Sequence, residues 1–578
     1  MMTLRTFLTG LLIVASTGLG FAQDENTFKA LGAPAHRKVD VSWNRFYDVD
    51  GLASILKQLH VAYPTITKLY SIGESFQGRP VWVLEVTNRE NGDPERKPGM
   101  YIDGNIHGNE VQAGEVVTYT AWYLCENYGK VDLITELVDS RVIYLLPSIN
   151  PDGRDYWFHN ANTQHSSRTG QMPTDEDKDG LMDEDPFDDL DGDGSITMMR
   201  KRDPDGRFLP HPDYPEFQMV RAEPDERGEY IILGDEGVDN DGDGRVNEDN
   251  PGGYDPNRNW AYDWQPHYVQ YWAKDFPFSF PAIRAVGEFV LAHPNIGGMV
   301  TFHNYGGYIL RGPNRDGGPL EPQDEQVMFD IAKRGERMLP FYRNVISWED
   351  LYPVWGGQFD WFYAGRGITA FTSELWTPKN MFRSNDTGDN ARGDFLRYLL
   401  LNDGVVEWKP YDHPQYGAIE IGGVKKEFGR VPPSFLLEEE CHRNMAFTLY
   451  HAAQTPLLEF GEIEVEALRD GLSKVWVEVR NLGMIPTRLQ QDIKHNINRA
   501  DVVMLSGEGV EVISAGRVTD RFFNRVEAVK ARPERLMIDR VPGLGVERVQ
   551  FVVSGRGKAK IVVDSLKGGR IETVVELP

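Results

Sequence analysis

The sequence predicts an α/β fold, a mixed open sheet with helices on both faces, followed by an all-β sandwich. Apolar runs at 101–102, 142–146, 298–303 and 368–372 carry strand-forming residues and alternate along the chain with helical patterns, as in a sheet whose connections cross its faces. Beyond Pro456 the pattern changes to short alternating runs at 474–479, 499–505, 549–554 and 560–563, separated by Gly, Asn and Asp, which is the pattern of an antiparallel sandwich of roughly 110 residues. A chain of 578 residues also exceeds one ordinary core, so at least two domains are expected.

Along the chain, Arg5, the apolar stretch 7–14 and Gly20-Phe21-Ala22 predict a secretory signal peptide over 1–22, cleaved after Ala22. The expected location is therefore secreted or periplasmic. Leu52, Ile55, Leu56 and Leu59 give 50–63 helical spacing, and 65–86 reads as two strands around a Gly-Glu-Ser-Phe-Gln-Gly-Arg-Pro turn. A helix is predicted from Val111 to about Asn127, and another over 438–453 closes the first domain, which spans 23–455. Residues 154–253 interrupt the α/β pattern as an insertion, and 456–578 form the β domain.

The formal charge of −27 argues against a nucleic-acid partner, and no basic patch with interleaved aromatics offsets it. Much of this charge is local: 175–193 holds eleven acids and one Lys, and 235–249 holds seven acids and one Arg. Without those two segments the net charge is −11. No run after the leader approaches the ~20 apolar residues of a membrane span. Cys125 and Cys441 are the only cysteines, so any disulfide framework is a single bridge, and spacing alone leaves the pairing open.

Within the insertion, Asp175, Asp177 and Asp179 precede Gly180, Asp189, Asp191 and Asp193 precede Gly194, and Asp239, Asp241 and Asp243 precede Gly244. Asp at alternate positions before a Gly turn aims several hard oxygens at one cation, so structural calcium is expected, with a solvated acidic loop as the alternative. The bidentate Glu that ends a helix-loop-helix calcium site is missing, because Pro186, Arg200 and Asn250 stand there.

Four candidate site residues lie where strands end: His107 and Glu110 after the 101–102 run, His303 after 298–302, and Glu374 after 368–372. Chemistry in open α/β sheets collects beyond the carboxyl ends of the strands, so these residue types point to one metal-binding pocket. A lone His-x-x-Glu is weak evidence, because roughly one match arises by chance in a chain of this composition. The surrounding motifs add specificity: Asn150-Pro-Asp-Gly153, Asp255-Pro-Asn257-Arg258-Asn259-Trp260, Tyr352 four residues before Gly356-Gly357, and Phe359-Asp360-Trp361. In order and spacing these elements resemble the zinc carboxypeptidase family of the carboxypeptidase A type, over about residues 40–455.

The resemblance implies that His107, Glu110 and His303 bind one catalytic zinc and that Asp255 orients His107 from behind. It implies that Glu374 is the general base, that Asn257 and Arg258 hold the substrate carboxylate, and that Tyr352 covers the substrate end. Phe359 falls at a pocket position that sets side-chain preference, and its apolar character argues against a buried acid there for Lys or Arg. The family supplies an oxyanion-binding Arg after Asn-Pro-Asp-Gly; Arg200 is the best match here, with Arg202 as its rival. Many relatives carry Arg immediately before the zinc-binding Glu, whereas this chain has Asn109, so that substrate contact is absent or replaced. The short stretch between 23 and about 40 leaves no room for an inhibitory pro-domain. The implied activity is a secreted metallocarboxypeptidase acting on peptides or proteins with a free C-terminus, the partner of the β domain being unknown. The same chemistry admits a cell-wall amidase or endopeptidase, and a non-catalytic calcium-dependent binding protein is the reading from another class.

Overall fold

The computed structural model describes residues 31–578, so the expected signal peptide lies outside the described residues. An eight-stranded mixed sheet runs in the spatial order Thr67–Glu74, Pro80–Val86, Val142–Leu146, Gly99–Gly104, Ile296–Asn304, Thr369–Leu375, Tyr308–Arg311 and Arg343–Ile346. Its four central strands are parallel, from Val142–Leu146 through Thr369–Leu375. Alternation along each strand divides the side chains between two cores. Met100, Ile102, Val300 and Phe371 meet the helices Val49–Ala62, Gln112–Asn127, Pro322–Met338 and Ser434–Ala453. Tyr101, Tyr144, Met299 and Ala370 meet Pro281–Ala292 on the other face. Burial on both faces explains why these strands read as continuous apolar runs.

The insertion is more than acidic loops. Its strands Met198–Arg202, Phe208–Pro210, Met219–Arg221 and Tyr230–Asp235 join the hairpin Val405–His413 and Gly417–Val424 in a six-stranded sheet. The C-terminal part is two antiparallel sheets of five and four strands around a shared core that includes Val475, Val477, Val503, Phe551 and Ile561. That matches the predicted sandwich. Asp324 ties it to the rest: its carboxylate accepts from the backbone N–H groups of Gln490 and Gln491 at 2.7 and 2.9 Å. Among the described residues no helix is long and apolar enough to cross a membrane. Cys125 and Cys441 are buried free thiols in the same core, so the one possible bridge is not formed.

The helix Ser434–Ala453 fixes the end of the strand that carries Glu374. Tyr342 donates to Glu440 at 2.9 Å and accepts from the Trp376 N–H at 2.8 Å, while Asn380 donates to the other Glu440 oxygen at 2.7 Å. Burial pushes the Glu440 carboxyl up to about 7. A folded-state value above the unfolded one means that this group contributes stability present at low pH and lost as pH rises through about 7. Glu440→Gln, which keeps the shape and abolishes the charge, is expected to match the wild type near pH 4.5. Above pH 7 it is expected to exceed it by on the order of 2–3 kcal/mol. Urea unfolding at both pH values reads this; a difference that does not change with pH would refute it.

Candidate active site

The strand register brings the candidate residues together. Glu374 pairs with His303 on the adjacent parallel strand, and Gly104 pairs with Phe302, so the carboxyl ends of three strands open at one level. Beyond Gly104 the chain turns through Asn105, whose φ of 59° is left-handed, a conformation Asn tolerates better than most residues. The Asn105 amide donates to the carbonyls of His107, Gly108 and Glu110 at 2.8, 3.1 and 3.3 Å, which shapes the ligand loop from within. Asn150-Pro-Asp-Gly153 clamps the loop from outside. Asn150 donates to the Ile106 carbonyl at 2.9 Å, and a Cβ on Gly108 would stand 2.3 Å from the Gly153 backbone, so only glycine fits.

His107 Nδ1, Glu110 Oε2 and His303 Nδ1 form a nearly equilateral triangle with sides of 3.1, 3.0 and 3.2 Å. All three residues are at most 2% exposed. His107 Nε2 donates to Asp255 at 2.9 Å, which leaves its Nδ1 as a lone pair aimed at two other acceptors. Three converging lone pairs need a cation between them. Their spacing is close to the ~3.3 Å edge expected of a tetrahedron with bonds of about 2.0–2.1 Å, so His107, Glu110 and His303 would suit zinc, three protein donors being the set that would leave room for a water. The histidines outweigh the burial of Glu110 and hold its carboxyl well below the usual carboxylate range. Asp255 is likewise held low against its burial by Arg258, His107 and Arg168.

One cleft is lined by His107, His303, Glu374, Asn257, Arg258 and Tyr352, with Phe359 in its wall. Loss of surrounding water pushes the Glu374 carboxyl up to about 7, with His303 opposing and Glu110 reinforcing the shift. Asp255 caps the turn Pro256–Arg258 by accepting from the Asn257 N–H at 2.7 Å, so one carboxylate orients both the His107 imidazole and the turn that carries Arg258. The Asn257 side-chain oxygen accepts from the Gln358 N–H at 2.9 Å, which leaves its NH2 to donate. Arg258 is 8% exposed, whereas Tyr352 is 53% exposed at the cleft rim.

The family model described as zinc carboxypeptidase matches residues 52–194 and 195–388, more than half of the chain. The chain belongs to the zinc carboxypeptidase family. A second model, described as a domain of unknown function, matches residues 457–576. Human carboxypeptidase D is 34% identical over 131 residues, 23% of this chain and 10% of that protein. Mouse carboxypeptidase M is 41% identical over 113 residues, 19% of this chain and 25% of that protein. The chain thus spans well under half the length of these curated relatives. Carboxypeptidase A from Helicoverpa armigera aligns over 72% of this chain and 75% of its own at 15% identity and a TM-score of 0.44.

One zinc carboxypeptidase expectation is corrected. Arg200 lies in the six-stranded sheet, where its Nε donates to Glu420 at 2.7 Å and its guanidinium stacks on Trp408 and Tyr230 at 4.0 and 4.3 Å. Arg202, its rival, is an exposed neighbour on the same strand, 3.7 Å from Glu229. Arg168 occupies the cleft instead, with Nη1 donating to Glu110 at 2.9 Å and Nη2 3.7 Å from Asp255. Arg168, fifteen residues after Gly153, is the first arginine past the helix Pro151–His159 and was the available signal. Arg430 was also missed. It donates to Glu110 at 3.1 Å and to the Asn304 carbonyl at 2.5 Å, and nothing near it in sequence marks it as a site residue. Asn109 is 2% exposed and donates to the Gln164 and His165 carbonyls, so it braces the loop and does not face the cleft.

Carboxylates of the insertion gather in groups of three or four: Asp189 and Asp191 with Glu236; Asp239, Asp241 and Asp243; Asp175 and Asp177 with Asp249; and Asp177, Asp179, Glu184 and Asp241.

Proposed function

We propose that this protein removes the C-terminal residue from peptides or proteins. The observation that carries this reading is Arg258 in the same cleft as the histidine–glutamate triad and Glu374, beside the Asn257 amide. A guanidinium with an adjacent amide donor suits a free α-carboxylate and has no equivalent task on an internal peptide bond. His107, Glu110 and His303 would hold zinc, which when bound polarises the scissile carbonyl and lowers the pKa of a water.

Glu374 takes the proton from the attacking water and returns it to the departing amine. The burial that raises the Glu374 carboxyl also favours the return of the proton to the departing amine. Arg168 faces the oxygen on which charge grows as the carbonyl becomes tetrahedral. Asp255 holds His107 in the tautomer that presents Nδ1. Tyr352 closes over the substrate end from the rim, and Phe359 gives the pocket an apolar wall. Export by the N-terminal leader fits this activity, and calcium is the ion proposed for the acidic groups of the insertion, whose hard oxygens match it.

The test compares a peptide with its C-terminal amide. Removing the charge that Arg258 meets is expected to lower kcat/KM by about 10²-fold, mostly in KM. Arg258→Ala is expected to impose a similar loss on the acid and little on the amide. Equal turnover of acid and amide would transfer the protein to the endopeptidase or amidase class.

A further inference from the structure

We infer, on the reading that calcium occupies the acidic insertion, that a cross-loop cation site built on Asp175, Asp177 and Asp249 locks the active site by fixing Arg168 and Asp255. The fold interleaves two of the three Asp motifs. Asp249, from the end of the second loop, lies in the first: its Oδ1 accepts from the N–H groups of Glu176 and Asp177 at 2.8 and 3.2 Å. Asp185 does the reverse, accepting from Asn240 and Asn247 in the second loop at 2.9 and 2.7 Å. Both aspartates are 0% exposed.

The chemistry of Asp249 points to a ligand. Asp249 Oδ2 is buried with no hydrogen-bond donor, and a carboxylate oxygen of Asp249 lies within 4.8 Å of carboxylate oxygens of both Asp175 and Asp177. A buried carboxylate with two like charges beside it and one oxygen without a donor is costly without a cation, and calcium takes six to eight such oxygens.

Closing this cluster has a consequence for the cleft because of what flanks it. Arg168 lies seven residues before Asp175, and Asp255 lies six residues after Asp249. Between cluster and cleft the two segments run side by side. The Gly253 N–H donates to Thr174 Oγ1 at 2.9 Å, the Met172 N–H donates to Tyr254 Oη at 3.0 Å, and a Cβ on Gly252 would stand 2.2 Å from the Gly170 carbonyl. The Arg168 carbonyl in turn accepts from the Gly108 N–H inside the ligand loop at 3.0 Å. A cation bridging 175–177 to 249 therefore pins both segments whose continuations deliver the guanidinium to Glu110 and the carboxylate to His107. Without it, carboxylate repulsion pries them apart at their far end.

The full chain is prepared zinc-loaded and calcium-free, and calcium chloride is titrated by calorimetry while kcat and the rate of zinc loss to a competing chelator are followed. Calcium is expected to raise kcat and slow zinc loss, each by on the order of tenfold, the usual scale for losing a partner behind a metal ligand. Asp249→Asn is expected to shift both midpoints to higher calcium, and Asp205→Asn, on a fully exposed side chain of another turn, to leave them in place. Calcium binding with kcat and zinc loss unmoved would overturn the coupling and leave the calcium reading standing. No binding heat up to about 10 mM, beyond the weakest extracellular sites, would overturn both. If Asp249→Asn does not fold, the wild-type titration decides alone.

Discussion

Glu374→Gln is expected to lower kcat by about 10²- to 10⁴-fold while the protein still binds one zinc. The substitution keeps the shape of the side chain and removes its ability to take a proton. Its backbone is fixed independently: Glu374 pairs with His303 on one side and Tyr308 on the other, and its carbonyl accepts from the Gly307 N–H at 3.0 Å. Glu374 is not among the three residues whose donor atoms converge, so zinc content by atomic absorption is expected to be unchanged. KM is expected to change little, because in the proposed mechanism Arg258 and Asn257 recognise the substrate and Glu374 only transfers a proton. A variant within tenfold of wild-type kcat would remove Glu374 from the role of base and leave the zinc site intact.

Legibility in the sequence followed the physics of each feature. The parallel core was readable because strands buried on both faces are written as apolar runs, and the sites at their ends were readable because topology places strand ends together. His107, Glu110, His303, Asp255 and Arg258 were legible because each sits at a strand end or in a short motif shaped locally, as where Asp255 caps the turn at Asn257 and Asn105 shapes the loop of His107 and Glu110. What the sequence concealed depends on contacts between distant segments. Arg430 reaches Glu110 across 320 residues, and Asp249 enters a loop more than 70 residues upstream. The short strands of the insertion were hidden for a related reason. Their burial is mixed, as in Met198–Arg202, where Met199 and Arg200 are buried between exposed ends, and that strand pairs with a hairpin some 200 residues later.

Arg168→Ala and Arg200→Ala are expected to separate the two arginines cleanly. Loss of Arg168 removes the cation proposed to stabilise the developing oxyanion, and the cost of one such donor is about 10²- to 10³-fold in kcat. Arg168→Lys restores charge but not the fork that spans Glu110 and Asp255, so only partial recovery is expected. Because the guanidinium also neutralises Glu110 and Asp255, the alanine variant is expected to bind zinc with altered affinity, and kcat must be compared at saturating zinc. Arg200→Ala acts elsewhere. It leaves Glu420 without its partner and empties the space between Trp408 and Tyr230, so it is expected to lower the melting temperature with kcat within about twofold of wild type. The reverse pattern, with Arg168→Ala nearly silent in kcat and Arg200→Ala severe, would mean that the strand Met198–Arg202 moves into the cleft during turnover and that Arg168 serves only to brace Glu110 and Asp255.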